Sequence, residues 1–199
     1  MGLLGAPAAA IQIQNGLWIF FKSNFKRRIL MNILALDMST KSTGWATRVD
    51  GNLISGCISN SSTIIEQRIA YMRDEIIKLI ELYKIDKIVI EEVHAEYTHN
   101  STVNQKLNWL QGCVRVGIYE KFGKKVEIET ILPNSWRSKI GIKTGAGITR
   151  DILKQKDIDY VFTNYNKRVN DDEADAIGIL DSCGKPDSQP TIIDGFQFG

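Results

Sequence analysis

Two short apolar runs, each stopping at a carboxylate, constrain the fold of this chain more than anything else in it. Asn32-Ile33-Leu34-Ala35-Leu36 has the length and apolarity of a buried strand, and it ends at Asp37. Lys87-Ile88-Val89-Ile90 is a second compact apolar strand, and it delivers Glu91. Between them, residues 44–49 and 52–58 read as two strands joined at Asp50-Gly51, a pair suited to a tight hairpin. A helix follows, with Ile65, Ile69, Met72, Ile76, Leu79 and Tyr83 spaced alternately four and three. Thr63 and Glu66 stand where a capping box would start it.

Beyond Glu91 a second helix carries Val103, Leu107, Leu110, Val114 and Ile118 on one face. Residues 126–132 read as a fifth strand stopped by Pro133. The rest is helical, interrupted by a Thr144-Gly145-Ala146-Gly147 loop, and the last helix begins near Asn170 and runs through Ile177 and Leu180. Three strands followed by alternating helix and strand predict an α/β fold: a five-stranded mixed sheet flanked by helices on both faces.

Composition sets the boundaries. At 199 residues, 43% hydrophobic and 24% charged, the chain has the make-up of one globular domain with some extra sequence. Residues 1–30 hold Lys22, Lys26, Arg27 and Arg28 and no acid, so they read as a basic appendage, either a targeting segment or upstream sequence ahead of Met31. The globular domain is expected over 31–184, with a tail over 185–199. The Leu17–Phe21 run falls far short of the roughly 20 residues that span a bilayer, so no membrane association is expected. Cys57, Cys113 and Cys183 are widely spaced and form no CxxC pair, which points to a reducing compartment and to thiols outside disulfides or zinc sites. After the appendage 21 basic residues face 23 acidic ones, so a nucleic-acid partner must be met by a local basic surface.

Four acids stand out by position. Asp37 and Glu91 end apolar strands, and Asp172 and Asp175 lie three apart on one face of the last helix. Taken singly, each has a plain explanation: a strand-end acid is a solvated turn residue, and Asp171, Asp172 and Glu173 all favour a helix N-terminus. Taken together they make an oxygen-rich cage suited to Mg²⁺ or Mn²⁺, which would offset the cost of burying acids beside apolar runs. Around the glycine loop, Lys139, Lys143 and Arg150 are candidates for phosphate contact, with Arg137 and Lys41 as further ones. Ser39 and Thr40 either bond a phosphate or close the turn after Asp37. Trp136 and Trp109 are expected to pack in a core or a dimer contact.

Leu34-Ala35-Leu36-Asp37-Met38-Ser39-Thr40, Ile90-Glu91-Glu92-Val93 and Asp172-Glu173-Ala174-Asp175-Ala176-Ile177, in that order, resemble the RuvC family of Holliday-junction resolvases, within the ribonuclease-H-like superfamily. The glycine loop after a Pro-initiated helix is similar too, and the resemblance runs from Met31 to about Gly184. The length and the Trp136-Arg137-Ser138-Lys139 stretch look more like phage or viral members. The resemblance implies a crossover junction endodeoxyribonuclease in which Asp37, Glu91, Asp172 and Asp175 are metal ligands and catalytic carboxylates. It implies two-metal hydrolysis with Mg²⁺, Mn²⁺ also supporting activity, on branched DNA, by a homodimer making paired nicks. A cytoplasmic location follows (the bacterial host cell for a phage protein), or a mitochondrial one for a targeting segment at 1–30. The residue that wedges the junction centre in this family is often aromatic, and here its position holds His94, with Tyr97 nearby. Three other readings remain open at this point. They are a nuclease acting on RNA or on branched DNA without strict selectivity, a junction-binding protein that does not cut, and an actin- or sugar-kinase-like ATP-binding protein, whose phosphate loop Asp37–Gly44 also resembles.

Overall fold

The computed structural model describes residues 31–93 and 101–184, and the backbone of two short strands nearer the N-terminus. His94, Tyr97 and His99 lie outside the described residues, as do most of the appendage and the tail over 185–199. The chain divides into two units, Met1–Leu30 and Met31–Gly199. In the first, β1 (Ala10–Gln12) pairs antiparallel with β2 (Trp18–Phe20).

The second unit opens with β3 (Ile33–Asp37), β4 (Ser42–Val49), β5 (Asn52–Ser59), α1 (Ile65–Tyr83) and β6 (Lys87–Glu91). It continues with α2 (Ser101–Phe122), a 3-10 turn, β7 (Glu127–Ile131), α3 (Pro133–Lys139), α4 (Arg150–Tyr165) and α5 (Asp171–Ser182). The sheet order is β5-β4-β3-β6-β7. β3, β4 and β5 form an antiparallel meander, while β3, β6 and β7 are parallel. This is the mixed five-stranded sheet that the pattern predicts. Its hairpin turns at Asp50 (φ 50°) and Gly51 (φ 81°), two left-handed residues that match the twist of the flanking strands.

Strand alternation sorts the core into two layers. Leu34, Leu36, Ile88 and Ile90 point towards α1 and α2, where Met72, Ile76, Leu110, Val114 and Ile118 close over them. Ala35, Ala46 and Val89 point the other way, towards Trp136, Val161, Ala174, Ala176, Ile177 and Ile179. Small residues on this second face let α5 come down onto the sheet. A Cβ on Gly44 would fall 1.8 Å from the carbonyl oxygen of Asp172.

Some details depart from the sequence pattern. α1 starts after Ile64, with no side-chain cap, so Thr63 and Glu66 form no capping box. Buried Arg68 ties this helix start down instead, donating from Nε to the Thr40 carbonyl at 3.1 Å and from Nη1 to the Ser62 carbonyl at 2.7 Å. On α2, Val103 is exposed although its stripe partners Leu110, Val114 and Ile118 are buried. α5 does begin at Asn170, whose side chain accepts from the Glu173 amide at 2.9 Å. All three cysteines are free. No helix among the described residues is long and apolar enough to cross a membrane.

Candidate metal centre

β3 and β6 run parallel in a register that pairs Leu36 with Ile90, so Asp37 and Glu91 leave the sheet side by side at the same end. Asp37 is paired across β4 with Gly44, the residue whose bare backbone admits the start of α5. One helical turn in, α5 brings Asp175 to the same place. Asp37, Glu91 and Asp175 each offer a carboxylate oxygen, all within 4.8 Å of one another. Asp172 does not join this trio. It stands half-buried beside it, close enough for its charge to act on Asp37.

The electrostatics describe a site short of positive charge. Asp37 is pushed up to about 8, first by desolvation and then by the charges of Glu91 and Asp172. By surface area Asp37 is only half-buried, but protein atoms crowd its carboxylate, and desolvation is the leading cause. Glu91 is also raised by burial, against the opposing effect of a hydrogen bond from Trp136. Asp175 is raised well above the ordinary carboxylate range by burial, then by the charges of Asp37 and Asp157. Its Oδ1 is buried without any hydrogen-bond partner. A buried lone pair with no donor, within reach of two further carboxylates, fits a hard divalent cation. The carboxylates are positioned to hold such an ion.

Behind the trio lies a layer that the sequence did not reveal. Trp136 is fully buried, in the core as expected, but its Nε1–H also donates to Glu91 Oε2 at 2.7 Å. Arg137 corrects an expectation. Proposed as a phosphate contact, it is instead buried at 7% exposure. Its Nη2 donates to Asp157 Oδ2 at 2.8 Å and to Asp175 Oδ2 at 3.2 Å, and its guanidinium stacks on the Trp136 ring at 4.1 Å. Asp157, 1% exposed, was not a candidate at all. A signal for it existed: four residues from both Leu153 and Val161, it occupies a position on α4 where an apolar residue belongs.

The remaining candidates separate. Ser39 closes the turn after β3: its amide donates to Thr43 Oγ1 at 3.2 Å, and its Oγ accepts from the Lys41 amide at 3.4 Å. Thr40 lends its carbonyl to Arg68. Lys41, Lys139, Lys143 and Arg150 are exposed. The charge of Arg150 is felt by Glu91, and that of Lys139 by Glu129 and Cys183. Lys154 of α4, paired with Asp171, also acts on Asp37. In the glycine loop, Gly145 (φ 152°) and Gly147 (φ 84°) have positive φ, as side-chain-bearing residues rarely do. Trp109 is exposed, outside the core.

A curated relative, the crossover junction endodeoxyribonuclease RuvC of Rickettsia africae, is 28% identical over 161 residues, spanning 77% of this chain and 96% of the relative. Over most of its length the chain is thus similar to the RuvC crossover junction endodeoxyribonucleases. The Rickettsia conorii RuvC matches at 27% over the same span. No family model matches the chain. Among solved structures, the T. thermophilus RuvC in complex with a Holliday junction substrate superposes with a TM-score of 0.58 at 12% identity, covering 76% of this chain and 91% of that one. A second Thermus thermophilus RuvC structure gives a TM-score of 0.57 at 15% identity. At such identities these two speak for the fold, which is the RuvC fold.

Proposed function

We propose that this protein is a RuvC-family, structure-selective endodeoxyribonuclease that hydrolyses phosphodiester bonds in Holliday junctions and other branched DNA. The observation that carries this reading is the meeting of Asp37, Glu91 and Asp175 within 4.8 Å at one end of a RuvC-type sheet. Asp37, Glu91 and Asp175 would hold divalent metal, Mg²⁺ with Mn²⁺ as a working substitute, and Asp172 beside Asp37 completes a four-acid set for a second ion. Bound there, the ions supply water activation and stabilisation of the leaving 3′ oxygen. The chain's own part is to hold four carboxylates in place and to keep its own basic side chains from cancelling their charge. Among nearby basic groups, Arg137 is committed to Asp157 and Asp175 and Lys154 to Asp171, so neither neutralises the trio fully. Arg150 and Lys143, exposed at either end of the glycine loop, are the groups we assign to the DNA backbone, with Lys139 as a more distant contact.

A homodimer making paired nicks fits the surface of α2. Trp109, Val116 and Tyr119 are 48%, 57% and 64% exposed, and they recur at spacings of seven and three on one side of the helix. A two-fold axis along that face would bury three large apolar side chains twice over.

The test compares a synthetic four-way junction with linear duplex, single strand and RNA–DNA hybrid, each with Mg²⁺ and with excess chelator. Junction cutting that requires metal is the expected result. Equal cutting of all four substrates would remove the junction selectivity, and full activity in chelator would remove the metal chemistry.

A further inference from the structure

Two consecutive residues of one short helix reach two different carboxylates of the trio. α3 begins at Pro133, directly after β7, which places its seven residues beneath the sheet end that carries Glu91. Trp136 ties one oxygen of Glu91 at 2.7 Å, and Arg137 ties one oxygen of Asp175 at 3.2 Å. Neither donor is free to wander. The Trp136 ring lies so close to α5 that a Cβ on Gly178 would come within 2.4 Å of it. Arg137 is stacked on that ring and locked from the far side by Asp157, which takes Nε at 3.0 Å and Nη2 at 2.8 Å.

The division of Arg137's bonds is the informative part. A guanidinium facing a single buried carboxylate forms a bidentate pair and cancels its charge. Here the close, two-nitrogen pairing goes to Asp157, and Asp175 receives one longer bond while its Oδ1 stays bare. Asp157 thus keeps Arg137 from neutralising Asp175, and the trio stays attractive to a cation. For stability alone, an apolar residue in place of this buried pair would serve as well or better.

We infer that Trp136 and the Arg137–Asp157 pair are positioning residues that set divalent-metal affinity. They hold one oxygen of Glu91 and one of Asp175 from behind and leave the second oxygen of each for the ion. This rests on the metal-site reading above.

The experiment is a calorimetric titration of the full chain with Mn²⁺ in the absence of DNA. It uses the wild type, W136F, D157N and the core control I179V, with thermal melts in chelator alongside. W136F keeps most of the ring and loses the donor; D157N frees Arg137 to close on Asp175. The expected result is Mn²⁺ affinity about 10- to 100-fold weaker for W136F and D157N, the range typical of losing a ligand's supporting partner, with I179V binding as the wild type does. Should W136F fail to fold, D157N decides alone. Wild-type affinity in the folded variants overturns the inference. So does an equal loss in I179V, which would mark a general packing effect. A wild type that takes up no Mn²⁺ overturns the metal-site reading and this inference with it, so the two failures are told apart.

Discussion

Asp175 and Asp181 sit on the same helix, are buried to 8% and 5% exposure, and are each met by one arginine, yet they are used in opposite ways. Asp181 pairs with Arg48, and its oxygens accept from the hydroxyls of Tyr160 and Tyr165 at 2.7 Å each. Those phenols are held protonated, pushed up by burial and by the carboxylate they serve. Asp175 receives one bond from a shared guanidinium and keeps an oxygen with no partner. Both aspartates bear the cost of burial, but only the Asp181 network offsets it within the protein. A complete network fastens α4 and α5 to β4; an incomplete one asks for a ligand. Burial and an ion pair are common to both carboxylates; what separates Asp175, the proposed metal ligand, from Asp181 is its unfilled lone pair.

The largest effect should come from breaking the incomplete side. Asp175→Asn is expected to reduce junction cleavage by more than the about 100-fold that loss of a supporting partner costs, while gel-shift binding of the junction survives. Loss of binding in parallel would mean that Asp175 shapes the fold rather than the chemistry. Next comes the complete side. Asp181→Ala strands Arg48 in a largely buried position and should cost about 3–5 kcal/mol in denaturant unfolding, with Mn²⁺ affinity of the folded protein unchanged.

The third prediction uses pH. Asp37, lifted in the folded state to about 8 from an ordinary value near 4, binds a proton that the unfolded chain has already released between those limits. Metal-free protein should therefore lose stability as pH rises from about 4 through about 8, with Glu91 and Asp175 acting in the same direction. Divalent metal should flatten that fall and stabilise most at the alkaline end. Melting temperatures in chelator that rise across this range would contradict the electrostatic account. The smallest effect is Tyr165→Phe, which removes one donor to Asp181 and should cost about 1 kcal/mol in the same unfolding assay.

Much of this was legible in the chain because it is encoded locally. The two strand ends, the Asp50-Gly51 turn and the start of the last helix near Asn170 each depend on a few neighbouring residues, and the structure agrees with all of them. The spacing of Asp172 and Asp175 also gave their shared face, but not their depth. Three residues advance a helix by about 300°, so the two side chains diverge by about 60°, enough for one to turn inward and the other to stay half-buried. The layer behind the site was hidden because it runs against type. An arginine in a short polar stretch reads as surface, and only the packed structure shows Arg137 turned inward to meet Asp157 across 20 residues of sequence. Trp136 had the opposite fault: it reads as plain packing, and a single indole nitrogen gives it a second task.

Gly44 gives the site its dimensions. It is the bare spot on β4 against which the first turn of α5 comes to rest, and it stands directly across from Asp37. Any larger residue there would work as a shim, lifting the helix that carries two acids away from the strands that carry the other two. The gap that the proposed ion would fill is thus gauged by a methyl group that the chain leaves out. A family of Gly44 variants would amount to a ruler for how much looseness the cage tolerates before it stops holding metal.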